Sequence, residues 1–125
     1  MIAIDSSSLI AYLAGATGTD VPAVEAALAE KYACLPPVAL TELLSDPKLP
    51  KAVADLLRQL PLLAPSDGYW ERAGALRASV IASRRKTPLA DTLIAQSCLD
   101  HDVALITRDR HFRDFERIAG LKLVG

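Results

Sequence analysis

Short apolar runs that alternate with helical patterns are the feature that most constrains the fold of this chain. Four of these runs cover residues 1–4, 33–35, 103–107 and 121–124. Each is brief and almost continuously apolar, which is typical of a buried parallel strand. A fifth run at residues 61–65 is predicted to form a short edge strand. Strands that alternate with helices predict an α/β domain whose central, mostly parallel sheet is covered on both faces.

Caps and prolines mark where the helices begin. Thr87 and Pro88, for example, place an N-cap and a first-turn proline ahead of a long apolar pattern. Ser6, Ser7 and Ser8 are predicted to form the turn that leads from the first strand into the first helix. Helices are predicted at residues 9–13, 21–32, 38–44, 50–60, 69–83, 88–101 and 110–119.

The length and charge of the chain narrow the functions open to it. Its 125 residues fit one domain that spans residues 1–125. The formal net charge is −1, so the chain as a whole is not a basic clamp for nucleic acid. A polyanionic partner would therefore have to be held by local basic clusters or through metal ions.

The cysteines and the hydropathy indicate the compartment. Cys34 and Cys98 each lie inside an apolar run, as buried thiols in a reducing compartment do. The sequence begins without the pattern of a signal peptide, and no stretch approaches the ~20 apolar residues that cross a bilayer. We therefore expect a cytoplasmic protein with reduced cysteines and no membrane partner.

Three acidic residues are predicted to meet at one edge of the sheet. Asp5 ends the first strand, and Asp109 lies two residues beyond the strand that ends at Thr107. Asp91 lies in the first turn of the helix that begins at Pro88. Because ligands in open α/β sheets bind beyond the carboxyl ends of the strands, and helices begin at that edge, the three side chains should converge.

Asp91 and Glu42 also occupy unusual positions on their helices. At ~100° per residue, the residues that share the face of Asp91 include Ile94, Ala95 and Cys98, whereas polar residues such as Gln96 fall on the other side. A carboxylate at the head of an apolar face is costly to bury unless something pairs with it.

Glu42 has apolar neighbours around its own helix as well.

Each acid also has an ordinary structural interpretation. Asp109 is placed to cap the following helix, Asp91 to interact with a helix dipole, Glu42 to lie on the solvated surface, and Asp5 to form a turn.

Convergence of these acids would require a cation. Two carboxylates ~4 Å apart repel by roughly 4 kcal/mol at an effective dielectric constant of about 20. A site made only of carboxylates suits Mg²⁺ or Mn²⁺. A zinc site is not indicated, because His101 and His111 stand apart and neither pairs with a cysteine at zinc-binding spacing.

Five segments of the chain carry a family resemblance, namely residues 2–7, 40–44, 88–95, 105–112 and 118–124. Together they resemble the PIN-domain ribonucleases, specifically the VapC-type toxins of bacterial toxin–antitoxin pairs. The resemblance covers nearly the whole chain. It implies a compact three-layer α/β/α domain that cleaves RNA phosphodiester bonds with Mg²⁺ or Mn²⁺ and thereby inhibits translation and growth. It also implies a homodimer, and a cognate antitoxin whose C-terminal segment blocks the acidic site.

The resemblance maps the family's four acids onto Asp5, Glu42, Asp91 and Asp109, as catalytic and metal-binding residues, and its small polar position onto Ser7. Many relatives carry another acid two residues after the one that matches Asp109, where this chain has His111. Whether Asp109 binds metal directly, and whether His111 or Asp114 contributes, therefore stays open. One or two metal ions are compatible with the pattern.

Two basic groups flank the acids along the chain. Arg84, Arg85 and Lys86 precede the helix that carries Asp91, while Arg108 and Arg110 flank Asp109. They are candidates for holding RNA phosphates at the rim of the acidic site. The alternative is that they form an ordinary solvated charge run.

Rival functions fit the sequence less well. A receiver-type phosphoacceptor domain would need a second acid at the first strand and a lysine after a late strand, yet serines follow Asp5 and Arg108 follows Thr107. A haloacid-dehalogenase-type phosphatase would need an aspartate where Ser7 stands. A catalytically weak PIN-like module that binds RNA or a protein remains an alternative.

Overall fold

The computed structural model describes all 125 residues. Predicted and observed elements agree in type and order almost throughout, and their bounds differ by a few residues. The elements are β1 (Ile2–Ile4), α1 (Ser6–Leu13), α2 (Asp20–Ala29), β2 (Ala33–Cys34), α3 (Pro37–Leu44), α4 (Lys51–Gln59), α5 (Tyr69–Ala82), α6 (Leu89–His101), β3 (Leu105–Ile106), a 3₁₀ turn (Arg110–Phe112), α7 (Arg113–Ala119) and β4 (Leu123–Val124).

The four strands form one sheet in the order β2–β1–β3–β4, and every neighbouring pair is parallel. The predicted parallel sheet is thus confirmed. The strands are shorter than the apolar runs, but the backbone ladder continues past their ends. The Asp5 N–H donates to the Ile106 carbonyl at 2.9 Å, and the Thr107 N–H donates to the Val124 carbonyl at 3.1 Å.

The run at residues 61–65 does not form the predicted edge strand. It makes one parallel bridge, between Leu62 and Leu35 beside β2. Pro61 and Pro65 bound the segment, and a proline has no N–H to donate to a ladder. Two backbone bonds hold it, one from the Leu35 N–H to the Pro61 carbonyl and one from the Leu63 N–H to the Leu35 carbonyl.

Side chains from each strand enter two separate cores. In β1 Ala3 faces the core that contains α5, α6 and α7, whereas Ile4 faces the core that contains α1, α2 and α4. Leu105 and Ile106 divide between the same two cores, as the alternation of side chains along a strand requires. The sheet is therefore the middle layer of an α/β/α domain, as predicted.

Both cysteines lie in the interior, as predicted. Cys34 and Cys98 are both buried, and both are free thiols. None of the helices combines the length and the apolar content that crossing a bilayer requires.

The first and last helices differ from their predicted bounds. Helix α1 begins at Ser6 rather than at residue 9, because Asp5 is extended (φ −74°, ψ 151°) and its carbonyl accepts from the Leu9 N–H at 3.2 Å. The serines therefore form the first helical turn, whose backbone N–H groups have no acceptor within the helix. The predicted helix at 110–119 starts as a 3₁₀ turn and becomes α7 at Arg113.

The connections place a crevice next to β1. After β1 the chain crosses to β2 on one side, whereas β3 pairs with β1 on the other side. In parallel sheets such a reversal opens a binding crevice beyond the carboxyl ends of the two central strands. Asp5 and Thr107 lie directly after those ends.

Candidate metal centre

Asp5 is a buried carboxylate at the end of β1, with an exposed fraction of 3%. The Ser7 hydroxyl donates to Asp5 Oδ2 at 2.6 Å, and the Thr107 hydroxyl donates to the same oxygen at 2.9 Å. Burial raises the pKa of Asp5 above its ordinary value, and the two hydroxyls oppose that rise. The two donors fix the orientation of the carboxylate but supply no positive charge.

Asp91 lies in the first turn of α6, as predicted. Burial is the largest cause that raises the pKa of Asp91 to about 6, and the charges of Asp109, Asp5 and Glu42 follow in that order. Asp5, Glu42 and Asp109 are therefore close enough to Asp91 for their charges to act on it. The opposite side of α6 is also covered, since Thr92 and Gln96 are buried and α6 packs against α5.

Glu42 extends from α3 to the rim of the same group. The Ser6 hydroxyl donates to Glu42 Oε1 at 3.2 Å. Partial burial of the carboxyl, and then the charge of Asp5, raise the pKa of Glu42 although the residue as a whole is exposed. Of the four acids, Glu42 is the most open to solvent.

Asp109 has the capping role predicted for it and also lies beside the other acids. It is the N-cap of the 3₁₀ turn, where its Oδ1 accepts from the His111 N–H at 2.9 Å. Its own N–H donates to the Thr107 hydroxyl at 3.0 Å, which joins it to the Asp5 side of the cluster. Ligand atoms of Asp91, Asp109 and His111 all lie within 4.8 Å of one another.

Two hydroxyl groups in this network were missed by the sequence reasoning. Thr107 bridges Asp5 and Asp109, and Ser6 contacts Glu42. Thr107 had a usable signal, because it is the polar residue that ends an apolar strand two positions before Asp109. Ser6 had none, because its partner is 36 residues away in sequence.

The predicted basic residues are not all at the acidic cluster. Arg108 turns to Asp20 instead: its Nε donates at 2.8 Å and its Nη2 at 2.9 Å, and Nη2 also donates to the Thr17 carbonyl. This ion pair lowers the pKa of Asp20 below its ordinary value. The three basic residues that follow α5, Arg84, Arg85 and Lys86, are exposed, and none makes an ion pair.

Asp114 is not part of the cluster. Its carboxylate pairs with Arg117 on α7. Next to Asp109, however, an open cavity of about 770 Å³ is lined by Arg108, Arg110 and Arg113 among others. Positive groups thus lie on the side of Asp109 that faces this cavity.

The donor set fits a hard divalent cation. Its oxygens are carboxylates, and none of the four acids forms an ion pair with a lysine or arginine. Burial and mutual repulsion raise the pKa values of Asp5, Glu42 and Asp91, as expected where negative charges converge without a positive one. A cation bound by oxygen ligands, such as Mg²⁺ or Mn²⁺, would remove this repulsion.

Comparison with known proteins agrees with this architecture. The family model described as "PIN domain" matches residues 2–118. No curated protein sequence matches the chain significantly.

Solved structures match over almost the full length. A chain of VapBC2 from Rickettsia felis, solved with a DNA fragment from its promoter, has a TM-score of 0.72 and 20% identity over 98% of this chain and 97% of that one. VapBC-5 of Mycobacterium tuberculosis, described as a member of a toxin–antitoxin family, has a TM-score of 0.67 and 17% identity, with coverages of 98% and 96%. A toxin–antitoxin complex from Klebsiella pneumoniae gives 0.67 and 20%, with coverages of 100% and 97%. At such identities these matches establish a shared fold.

Proposed function

The chain belongs to the PIN domain family, and from this premise we propose that it is a metal-dependent endoribonuclease, the toxin of a toxin–antitoxin pair. One observation carries the proposal: four carboxylates from separate elements meet at the crevice beyond β1 and β3 with no lysine or arginine to neutralise them. In this proposal Asp5, Glu42, Asp91 and Asp109 hold Mg²⁺ or Mn²⁺. The reaction is hydrolysis of an RNA phosphodiester bond, and its consequence in the cell is inhibition of translation and growth.

The bound metal would supply an activated water and positive charge for the scissile phosphate. The protein's own residues prepare that position. Ser7 and Thr107 hold the Asp5 carboxylate in one orientation, and Thr107 ties the Asp109 backbone to it. Asp91, whose pKa is raised to about 6 by burial and by the neighbouring acids, has no positive partner within the chain and would gain most from a bound cation.

RNA fits as the substrate because positive groups border an acidic site. Arg110 and Arg113 line the cavity beside Asp109, and Arg108 is held there by Asp20. Such groups bind phosphates of a single strand without reading its sequence. Arg84, Arg85 and Lys86 are exposed and remain candidates for more distant phosphate contacts.

The partner assignments follow the structural relatives. Two of them are described as toxin–antitoxin proteins, which supports a cognate antitoxin for this chain. We propose that the C-terminal segment of this antitoxin covers the acidic site. We also propose a homodimer and a cytoplasmic location, with free thiols at Cys34 and Cys98 as support for the latter.

The competing functions have less support. For a receiver-type domain the position after β3 would need a free cationic side chain, but Arg108 there is paired with Asp20. A PIN-like module that binds RNA without cutting it is separated from the proposal by the experiment that follows.

The test is cleavage of a structured RNA by the purified protein with and without Mg²⁺ or Mn²⁺, compared with Asp91→Asn. We expect cleavage that requires the metal and that falls by at least about a hundredfold in the variant, because metal ions contribute several kcal/mol to such reactions. Asp102→Asn is the matched control. Asp102 lies just past the other end of α6, is 86% exposed and has φ 51°, a conformation that asparagine also adopts. Equal cleavage by all three proteins, or none by the wild type, would contradict the proposal.

A further inference from the structure

His111 is the one nitrogen ligand beside the acidic cluster. It lies in the 3₁₀ turn, two residues after Asp109, and its ring Nδ1 is 3.2 Å from Asp109 Oδ1. A ring nitrogen of His111 and carboxylate oxygens of Asp91 and Asp109 lie within 4.8 Å of one another. Two parts of the chain, the first turn of α6 and the segment that leads into the 3₁₀ turn, therefore bring ligand atoms to one point.

The separation of these atoms is close to what one ion requires. Ligands held about 2.1 Å from an octahedral ion lie about 3 Å apart when adjacent and about 4.2 Å apart when opposite. The three ligand atoms lie within 4.8 Å of one another, so no pair exceeds the opposite-ligand separation by more than about 0.6 Å. The His111 side chain is 65% exposed, so a small rotation of the ring is unobstructed by core packing.

The charge around His111 also favours a cation between the three groups. Neither Asp91 nor Asp109 pairs with a lysine or arginine, and the neighbouring acids are Asp5 and Glu42. A neutral imidazole adds a ligand without adding to the repulsion among the carboxylates. A third carboxylate at the same position would add a further negative charge.

Resting on the proposed function, we propose that His111 is a direct ligand of the metal held by Asp91 and Asp109. The site then selects divalent first-row transition metals, with Mn²⁺ as the probe, over Mg²⁺. Imidazole nitrogen suits transition metals, whereas Mg²⁺ prefers oxygen and retains water in place of a nitrogen ligand. The mixed nitrogen and oxygen set makes the two ions unequal at this site.

The experiment measures binding by the whole protein rather than activity. Mn²⁺ is titrated and followed by electron paramagnetic resonance, nitrogen coupling to bound Mn²⁺ is recorded by electron spin echo envelope modulation, and Mg²⁺ is measured by competition. We expect Mn²⁺ to bind at least about tenfold more tightly than Mg²⁺, with a histidine nitrogen signal. In His111→Ala the signal should disappear and the Mn²⁺ affinity fall by about tenfold or more, while the Mg²⁺ affinity changes far less.

His101→Ala is the matched control, because its ring Nε2 contacts the Ala64 carbonyl at 2.8 Å, away from the cluster. It should keep both the nitrogen signal and the preference for Mn²⁺. Circular dichroism checks that each variant is folded, and the exposure of His111 makes its loss easy to accommodate.

Asp91→Asn separates the two proposals. Mn²⁺ binding that Asp91→Asn weakens, but that carries no nitrogen signal and is unchanged in His111→Ala, would overturn the role of His111 and leave the proposed function standing. Mn²⁺ binding that is insensitive to Asp91→Asn, or no binding at all, would overturn both.

Discussion

Asp20 and Asp91 are both acids in the first turn of a helix, yet their surroundings are opposite. Asp20 begins α2 and is 3% exposed, and two guanidinium nitrogens of Arg108 donate to it. Asp91 lies in α6 and faces three other carboxylates without an arginine or lysine. The pKa of Asp20 is accordingly lowered, whereas that of Asp91 is raised to about 6.

Asp20 is neutralised by a side chain of the protein itself, whereas Asp91 is not. The charge on Asp20 is neutralised within the fold, so this residue serves the structure and holds Arg108 at the cavity beside Asp109. The charge on Asp91 is compatible with burial only if a cation arrives from outside the chain. Asp100 in α6 belongs with Asp20, because Arg72 binds it and lowers its pKa.

The largest expected effect is that of Mg²⁺ or Mn²⁺ on stability. At a metal concentration a hundredfold above the dissociation constant, the free energy of unfolding of the wild type should rise by about 2.7 kcal/mol. Asp91→Asn should respond far less, because it removes a ligand. Urea denaturation with and without metal measures both, and equal stabilisation of the two proteins would place the metal elsewhere.

The next effect on stability is expected from removing Arg108, the charge partner of Asp20. Arg108→Met should lower the free energy of unfolding, because it leaves the buried Asp20 carboxylate without its charge partner. The loss should be smaller than for a fully buried pair, since the Arg108 side chain is 37% exposed. The double variant Arg108→Met, Asp20→Leu should recover part of the loss in the same denaturation assay. If the single variant were as stable as the wild type, Asp20 would not depend on its partner.

Asp91→Asn should raise the free energy of unfolding of the metal-free protein, and the size of this effect should depend on pH. The pKa of Asp91 in the folded protein, about 6, lies above the ordinary value of 3.8, so its contribution to stability is fully present below pH 3.8 and is lost as the pH rises through 6. At pH 7.5 the variant should therefore be more stable than the wild type by about 1–2 kcal/mol, a value reduced for partial exposure of the side chain. The difference should vanish near pH 4. Denaturation at a series of pH values in chelator measures it, and a constant difference would contradict the account.

The two ion pairs of Asp20 with Arg108 and of Asp100 with Arg72 should make stability depend on pH in the opposite direction. The pKa of Asp20 is lowered, so its contribution is present above pH 3.8 and is lost as the pH falls through its folded value. The wild type should therefore lose stability on the acid side through Asp20 and Asp100, and on the neutral side through Asp91. Arg108→Met should flatten only the acid side of this profile.

The smallest effect concerns the hydroxyl that joins the two halves of the cluster. Thr107→Val should cost about 1 kcal/mol of stability, because the Asp109 N–H loses its acceptor and Asp5 loses a donor. Thr41→Val, on the exposed side of α3, is the matched control and should cost less. A lower metal affinity in Thr107→Val alone would show that the hydroxyl positions the carboxylates.

Much of the site could be predicted because topology fixes it. Asp5 and Asp109 follow strands of one parallel sheet, and Asp91 begins a helix at the same edge, so their convergence follows from the element order. The start of α1 could not be predicted as well, because serine suits both a cap and a first turn.

The partner of Asp20 could not be predicted at all. Arg108 lies 88 residues away, and its position next to Asp109 made it a candidate for binding RNA. Which of two nearby acids an arginine pairs with depends on side-chain packing, and local sequence patterns carry no information about it. The same applies to Ser6 and Glu42, which meet only after α3 packs against α1.

The most direct test of the central claim is a titration of the Asp91 carboxyl carbon by nuclear magnetic resonance, with and without Mg²⁺. We expect a pKa of about 6 in chelator, and a value well below that once saturating Mg²⁺ is present, because the cation favours the ionised carboxylate. Asp20 should keep its lowered pKa in both conditions and serves as the internal reference. An Asp91 pKa near 3.8 in chelator, or one near 6 that Mg²⁺ leaves unchanged, would contradict the claim that this cluster is completed by a metal ion.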